Sequence, residues 1–172
     1  MNDWLFCPRC RTDGEIIQTE PENPYFLCPE CGFSKYNNPL PSTIGLIERD
    51  SDSKLLLLRR AVSPCRGQWD AVGGFLAPNE SAEECLKREA LEEIGCDIII
   101  RKCLGTYSSI YGESGINTIG IAFICKLSDE NKIQISLAEN SEYSWFSSDS
   151  IPEMAFADVR NAVKSWIKEQ ER

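Results

Sequence analysis

The chain has 172 residues, 42% of them hydrophobic, with 18 Lys+Arg against 27 Asp+Glu and a formal charge of −9. That content supports a compact core, and the acidic balance offers no broad electrostatic footprint for nucleic acid. Histidine is absent, which removes Ser-His-Asp and Cys-His nucleophilic schemes and His-ligated zinc catalysis, and leaves proton transfer to carboxylates, metal-activated water, Lys, Tyr or Cys.

Met1-Asn2-Asp3-Trp4 does not open a signal peptide, and no apolar run reaches bilayer-spanning length. The nine cysteines are therefore expected in a reducing, cytoplasmic setting without a membrane partner, where paired thiols hold metal more often than they form disulfides. Cys7-x2-Cys10 and Cys28-x2-Cys31 stand seventeen residues apart. Each pair is a tight knuckle presenting two thiolates, and two knuckles close a tetrahedron around structural Zn2+ with no position left for water. Two disulfides or free thiols are the alternative. The spacing predicts a small zinc ribbon over residues 1–38, too short to fold on apolar burial alone. Arg9, Arg11 and Lys35 are the only basic residues among the first forty, too few for a phosphate footprint.

Residues 39–41, within Asn37-Asn38-Pro39-Leu40-Pro41, read as a Pro-stiffened connector that continues no ladder or helix, and 42–172 as a second domain. Strands are expected over 43–48 and 55–60, with Asp50-Ser51-Asp52-Ser53 as the turn between them, then over 68–75, 97–107, 118–127 and 142–146. One helix should start at Ser81, with Glu84 completing a capping box, and stop at Gly95; a second should span 158–169. Strands mixed with helices in this order predict an α/β sandwich of helices on a mixed sheet. Cys65, Cys85, Cys96, Cys103 and Cys125 lie in or beside apolar stretches and are expected to act as small buried hydrophobes.

The first helix carries the chemistry. Glu83/Lys87 and Glu84/Arg88 are i,i+4 pairs suited to a solvated face. Glu89 and Glu93, however, fall about 40° apart on the helical wheel, beside Cys85 and Leu86, with Glu92 at the edge of the same sector. Such crowding next to an apolar face is relieved by a hard divalent cation, and oxygen ligands favour Mg2+ or Mn2+. Gly73-Gly74 allows close backbone approach before the helix.

Gly74-x5-Glu80-x7-Arg88-Glu89-Ala90-x-Glu92-Glu93-x-Gly95-Cys96 resembles the Nudix box at every charged and glycine position. Ala90, Cys96 and Val72-Gly73-Gly74 depart from its usual aliphatic positions and Pro-Gly-Gly opening. A four-Cys ribbon followed by Tyr36-Asn37-Asn38-Pro39 resembles the zinc-ribbon branch containing NADH pyrophosphatases, and Trp145-Phe146 with Ile151-Pro152 resembles the end of many Nudix domains. The Ser-Gln-Pro-Trp-Pro-Phe-Pro segment of NADH pyrophosphatases is replaced here by Gly105-Thr-Tyr-Ser-Ser-Ile-Tyr-Gly-Glu, which weighs against NADH as the main substrate.

The resemblance implies an α/β/α Nudix fold and Mg2+-dependent hydrolysis of a nucleoside diphosphate linked to another moiety. ADP-ribose or a nucleotide sugar is favoured, a dinucleotide next. It implies Glu89, Glu92, Glu93 and the Gly73 carbonyl as ion ligands, with Arg88 orienting Glu89 and Glu80 partnering Arg88. For the water's proton the candidates are Glu89, Glu113, Glu139 and Glu142, with Glu113 and Glu142 alternatively ligands of a third ion; a plain turn residue is the stronger reading of Glu113. Arg59, Arg60 and Arg66 are candidates for phosphate contacts or for surface roles, and Tyr107, Tyr111 and Phe156 for base stacking or core packing. A homodimer is expected by analogy alone. The rival readings are a catalytically silent nucleotide sensor and a pyrophosphatase that removes damaged nucleoside triphosphates.

Overall fold

A computed structural model describes residues 4–18 and 24–171; Met1–Asp3 of the opening and 19–23 of the expected ribbon lie outside them. The chain forms two compact units, Met1–Pro39 and Leu40–Arg172.

The first unit holds an antiparallel sheet of β1 (Glu15–Ile17), β2 (Tyr25–Leu27) and β3 (Ser34–Tyr36), in that order. Its core is small: Phe26 is fully buried with Cys7 and Cys28, and Phe33 packs against them. Gly14 gives the Phe26 ring its room, since a Cβ there would stand 1.8 Å from the ring.

In the second unit β4 (Leu40–Glu48), β5 (Leu55–Arg60), β6 (Trp69–Asp70), β7 (Ile98–Ile110), β8 (Asn117–Leu127) and β9 (Asn140–Phe146) form one sheet. The order is β6-β5-β4-β8-β7, with β9 added to β5; β4 and β8 are parallel and the other named pairs antiparallel. Helix α1 (Ala82–Ile94) covers one face and α2 (Ala157–Gln170) the other. The period of two along a strand accounts for this division. Leu55 and Leu57 join Val159, Val163 and Trp166, while Leu56 and Leu58 join Leu86, Ala90 and Ile94. Strands covered on both faces read as continuous apolar runs, as Leu55–Leu58 does.

Helix α1 starts and stops where expected. Ser81 and Glu84 form a complete capping box, and Gly95 takes the left-handed conformation at the end. Helix α2 is anchored by Trp166, which is fully buried and donates from Nε1 to Glu48 Oε1 at 2.6 Å; Gln170 Nε2 donates to the same oxygen at 2.6 Å. Trp166→Ala leaves a large cavity and removes one of the donors to Glu48, whose Gln170 and Arg101 contacts remain, so a loss of about 3–5 kcal/mol is expected in urea unfolding.

Two expectations are corrected. The ladder passes through the connector: Leu40 and Pro41 pair with Thr118 and Ile119. Thr43 and Gly45 aim their N–H groups away from β8, at the Gly74 and Val72 carbonyls. The nitrogen of Pro41 shares that side, so its missing proton costs β4 no bond to β8. The extended piece over 68–75 narrows to β6 plus isolated bridges from Val72 to Gly45 and Phe75 to Ser42. Gly73 explains the break: its φ is +152°, and a Cβ would stand 2.1 Å from the Thr43 carbonyl oxygen.

Candidate active site

Helix α1 presents its glutamates unequally. Glu93, four residues after Glu89 and one before buried Ile94, is itself buried at 8% exposure. Its Oε2 accepts the Gly73 N–H at 3.0 Å and its Oε1 the Asn140 amide at 3.5 Å. Burial nevertheless pushes its carboxyl up to about 8, and Asp70 and Glu89 nearby add to the rise. Glu89 is raised for the same leading reason, loss of hydration. Gly74 makes room for it, since a Cβ there would lie 2.3 Å from Glu89 Oε1. Glu92 is exposed.

Arg88 organises the group. Its Nε and Nη2 form a fork on Glu80 at 2.8 and 3.0 Å, its Nη1 reaches Glu89 at 2.7 Å and Glu92 at 3.0 Å, and its Nη2 also meets the Phe75 carbonyl at 3.2 Å. A bidentate pair of this kind fixes orientation as well as charge. Held by Arg88, and by the Ala77 N–H at 2.9 Å, Glu80 falls to about 2 and stays ionised. Glu89 and Glu92 are thus turned toward one guanidinium and Glu93 toward a backbone amide.

These residues border a cleft of about 530 Å3. Gly73, Arg88, Glu89 and Glu93 line it, as do Glu139, Arg60 and Tyr111, whereas Glu80 and Glu92, both bonded to Arg88, are not part of the lining. Other residues singled out in the sequence, Arg59 and Tyr107 among them, lie outside that lining. Glu142 is on β9, half exposed and ion-paired with Arg59 at 2.8 Å. Glu113 lies in the turn after β7, against a second groove that shares Ser63 and Phe156 with the cleft, and Arg66 is exposed and lines neither. Strand alternation accounts for Glu142, and the turn of residues 111–116 carries Glu113 outward. Tyr107 packs against the α2-side core. Arg60 is occupied: it pairs with Asp70 at 3.0 Å, donates to the Pro64 carbonyl at 2.8 Å and lies 5.0 Å over the Phe156 ring.

Asp70, Asn140 and Asp158 were not legible beforehand. Asp70 and Asp158 are single acids between apolar neighbours and Asn140 lies in a polar run, so only burial beside the cleft distinguishes them. Burial pushes Asp70 up to about 6 against the pull of Arg60.

The other chemical cluster lies in the first unit. The Cys7 and Cys31 sulfurs are 3.5 Å apart, Cys10 and Cys28 3.5 Å, and Cys10 and Cys31 3.7 Å. These separations approach the edge of a tetrahedron with metal–sulfur bonds of about 2.3 Å, roughly 3.8 Å. The two knuckles repeat each other: Arg11 N–H donates to the Cys7 carbonyl at 2.9 Å and Gly32 N–H to that of Cys28 at 3.0 Å, both donors at positive φ. The Thr12 hydroxyl holds Cys10 down to about 6. Among the described residues these four are the set of acidic or thiol side chains whose ligand atoms all fall within 4.8 Å of one another. The cluster can bind a metal.

Comparison with known proteins supplies a third observation. Residues 39–167 match the model of the NUDIX domain. The chain is 30% identical over 133 residues to the ADP-ribose pyrophosphatase of Methanocaldococcus jannaschii, covering 77% of this chain and 76% of that one. It is 26% identical over 147 residues to the NAD-capped RNA hydrolase NudC of Pseudomonas aeruginosa, covering 86% of this chain and 49% of the relative; the chain thus spans about half the length of such relatives. A crystal structure of a NUDIX hydrolase from Nitrosomonas europaea superposes with a TM-score of 0.78 at 28% identity, over 98% of this chain and 93% of that one.

Proposed function

The chain belongs to the Nudix family, and on that premise we propose that it is a divalent-metal-dependent pyrophosphohydrolase acting on a nucleoside diphosphate linked to a second moiety. ADP-ribose or a nucleotide sugar is the favoured substrate and a dinucleotide the next. The likeness to an ADP-ribose pyrophosphatase across three quarters of both chains supports the first choice, and the likeness to NudC the second.

One observation carries the reading: Glu89 and Glu93 line a cleft although burial raises both carboxyls. An all-oxygen donor set whose charges are left uncompensated by hydration fits a hard divalent ion. Glu89, Glu92, Glu93 and the Gly73 carbonyl would hold Mg2+ or Mn2+, which when bound neutralises anhydride oxygens and acidifies a water. The chain's own residues prepare that site. Arg88, fixed by ionised Glu80, orients Glu89 and Glu92; the Gly73 N–H and Asn140 hold Glu93 at the wall. Glu139, in the lining and without a cationic partner among the described ion pairs, is the candidate to take the water's proton. The four cysteines would hold structural Zn2+.

The experiment is a panel with Mg2+: ADP-ribose, nucleotide sugars, NADH and nucleoside triphosphates. Release of AMP and ribose 5-phosphate from ADP-ribose is expected. Binding of every compound without product would point to a sensor instead, and inorganic pyrophosphate from triphosphates to a pyrophosphatase for damaged nucleotides.

A further inference from the structure

The cleft extends from the glutamates of α1 past Gly73 and Gly74 to the start of α2, where its character changes. Ile44, Ala71 and Val159 supply apolar wall, and the rings of Tyr111 and Phe156 lie stacked at 5.3 Å with 15° between their planes. Phe75 meets Tyr111 edge-on at 5.3 Å. Such a surface suits a flat heterocycle.

Asp158 stands in this apolar setting. It is 5% exposed, lines the cleft, and takes part in no ion pair among the described residues. The nearby cation is committed elsewhere, since Arg60 pairs with Asp70. Oδ1 of Asp158 accepts the Val159 N–H at 2.9 Å, and the Ser109 side chain is also a hydrogen-bond partner of this carboxylate. Oδ2 lies over Gly120 of β8, where an added Cβ would stand 3.1 Å from it and 2.5 Å from Ile44. The strand is bare at the point where the carboxylate is housed. Burial raises Asp158 above the usual carboxylate range. A phosphate would be repelled by Asp158, which has no cation of its own among the described residues, whereas a neutral N–H donor would add to the hydrogen bonds the carboxylate already accepts where hydration cannot reach it.

We propose that this end of the cleft is a nucleobase pocket in which Phe156 and Tyr111 bear on the ring and Asp158 accepts a hydrogen bond from an exocyclic amine, selecting amino-bearing bases over hypoxanthine and uracil. The proposal deepens the hydrolase reading and rests on it for the identity of the substrate as a nucleotide, but base binding itself needs no turnover.

The test is calorimetric titration of the full chain, without added Mg2+, with AMP, GMP, IMP and UMP. AMP or GMP is expected to bind about tenfold or more tightly than IMP and UMP, the discrimination typical of one well-placed base contact. Asp158→Asn, whose amide can donate to a carbonyl, should erase or invert that ratio, with the melting temperature reporting that the helix start is intact. Equal or tighter binding of IMP or UMP by the unaltered chain overturns the proposal, and that arm decides even if the variant fails to fold. So does no binding of any of the four, or a folded Asp158→Asn that keeps the original ratio, which would leave Asp158 a helix-start residue only. Base selectivity without hydrolysis of any diphosphate would retain the pocket and remove the catalytic reading.

Discussion

Glu93→Gln is expected to lower kcat/KM for the hydrolysed diphosphate by about 10^2–10^3-fold or more, the scale of removing one preorganised electrostatic contact. Stability should not fall with it. The amide keeps an oxygen for the Gly73 N–H, now 3.0 Å from Glu93 Oε2, and has the volume of the acid. A carboxyl pushed up to about 8 in the folded chain opposes folding when ionised, so a neutral amide should melt at the same temperature or higher. The check pairs an activity assay with thermal melting and a zinc determination on the same sample. Near-normal hydrolysis by a folded Glu93→Gln variant would remove Glu93 from the ion-binding set. Loss of activity together with a large drop in melting temperature would assign it to structure instead.

The second large effect concerns the four thiols. If they hold zinc as proposed, removing it with a strong chelator, or replacing Cys28 with Ser, should collapse β1, β2 and β3 as one unit. Apparent binding energies of about 10–16 kcal/mol for four-ligand zinc exceed what a core of Phe26, Phe33 and two thiols supplies. The measurement is amide hydrogen exchange: protection over 15–17, 25–27 and 34–36 should vanish when one zinc per chain is released. Protection that survived full zinc release would show that the ring contacts of Trp4, Phe26 and Phe33 hold the unit by themselves.

How much of this was legible in the sequence depends on how locally each feature is determined. Helix α1 was readable at both ends because Ser81, Glu84 and Gly95 act through their own backbone. Strand β5 was readable to the residue because turn chemistry precedes its apolar run. The sheet of the first unit was not, since three-residue strands such as Ser34–Tyr36 are too short to carry a period. Pro41 was misjudged because ladder direction, which decides whether a missing N–H matters, is a tertiary property. The same division runs through the site. Arg88 and the glutamates of α1 follow from helical spacing, and the structure sets Glu89 and Glu93 beside one cleft. Glu113, Glu142 and Arg66 have suitable chemistry but are carried outward by a turn and by strand alternation. Asp70 and Asp158 became visible only when distant segments met.

The sandwich also governs where the chain can change its length. Every residue of Leu55–Leu58 is spoken for, alternately by one helix and the other, so inserting a single amino acid there would exchange both cores at once. Tolerance for insertion and deletion is confined to the loops, and one of these, residues 111–116, carries Tyr111 into the cleft. A protein built this way can be refitted to a new ligand by lengthening or shortening that loop while its interior stays untouched.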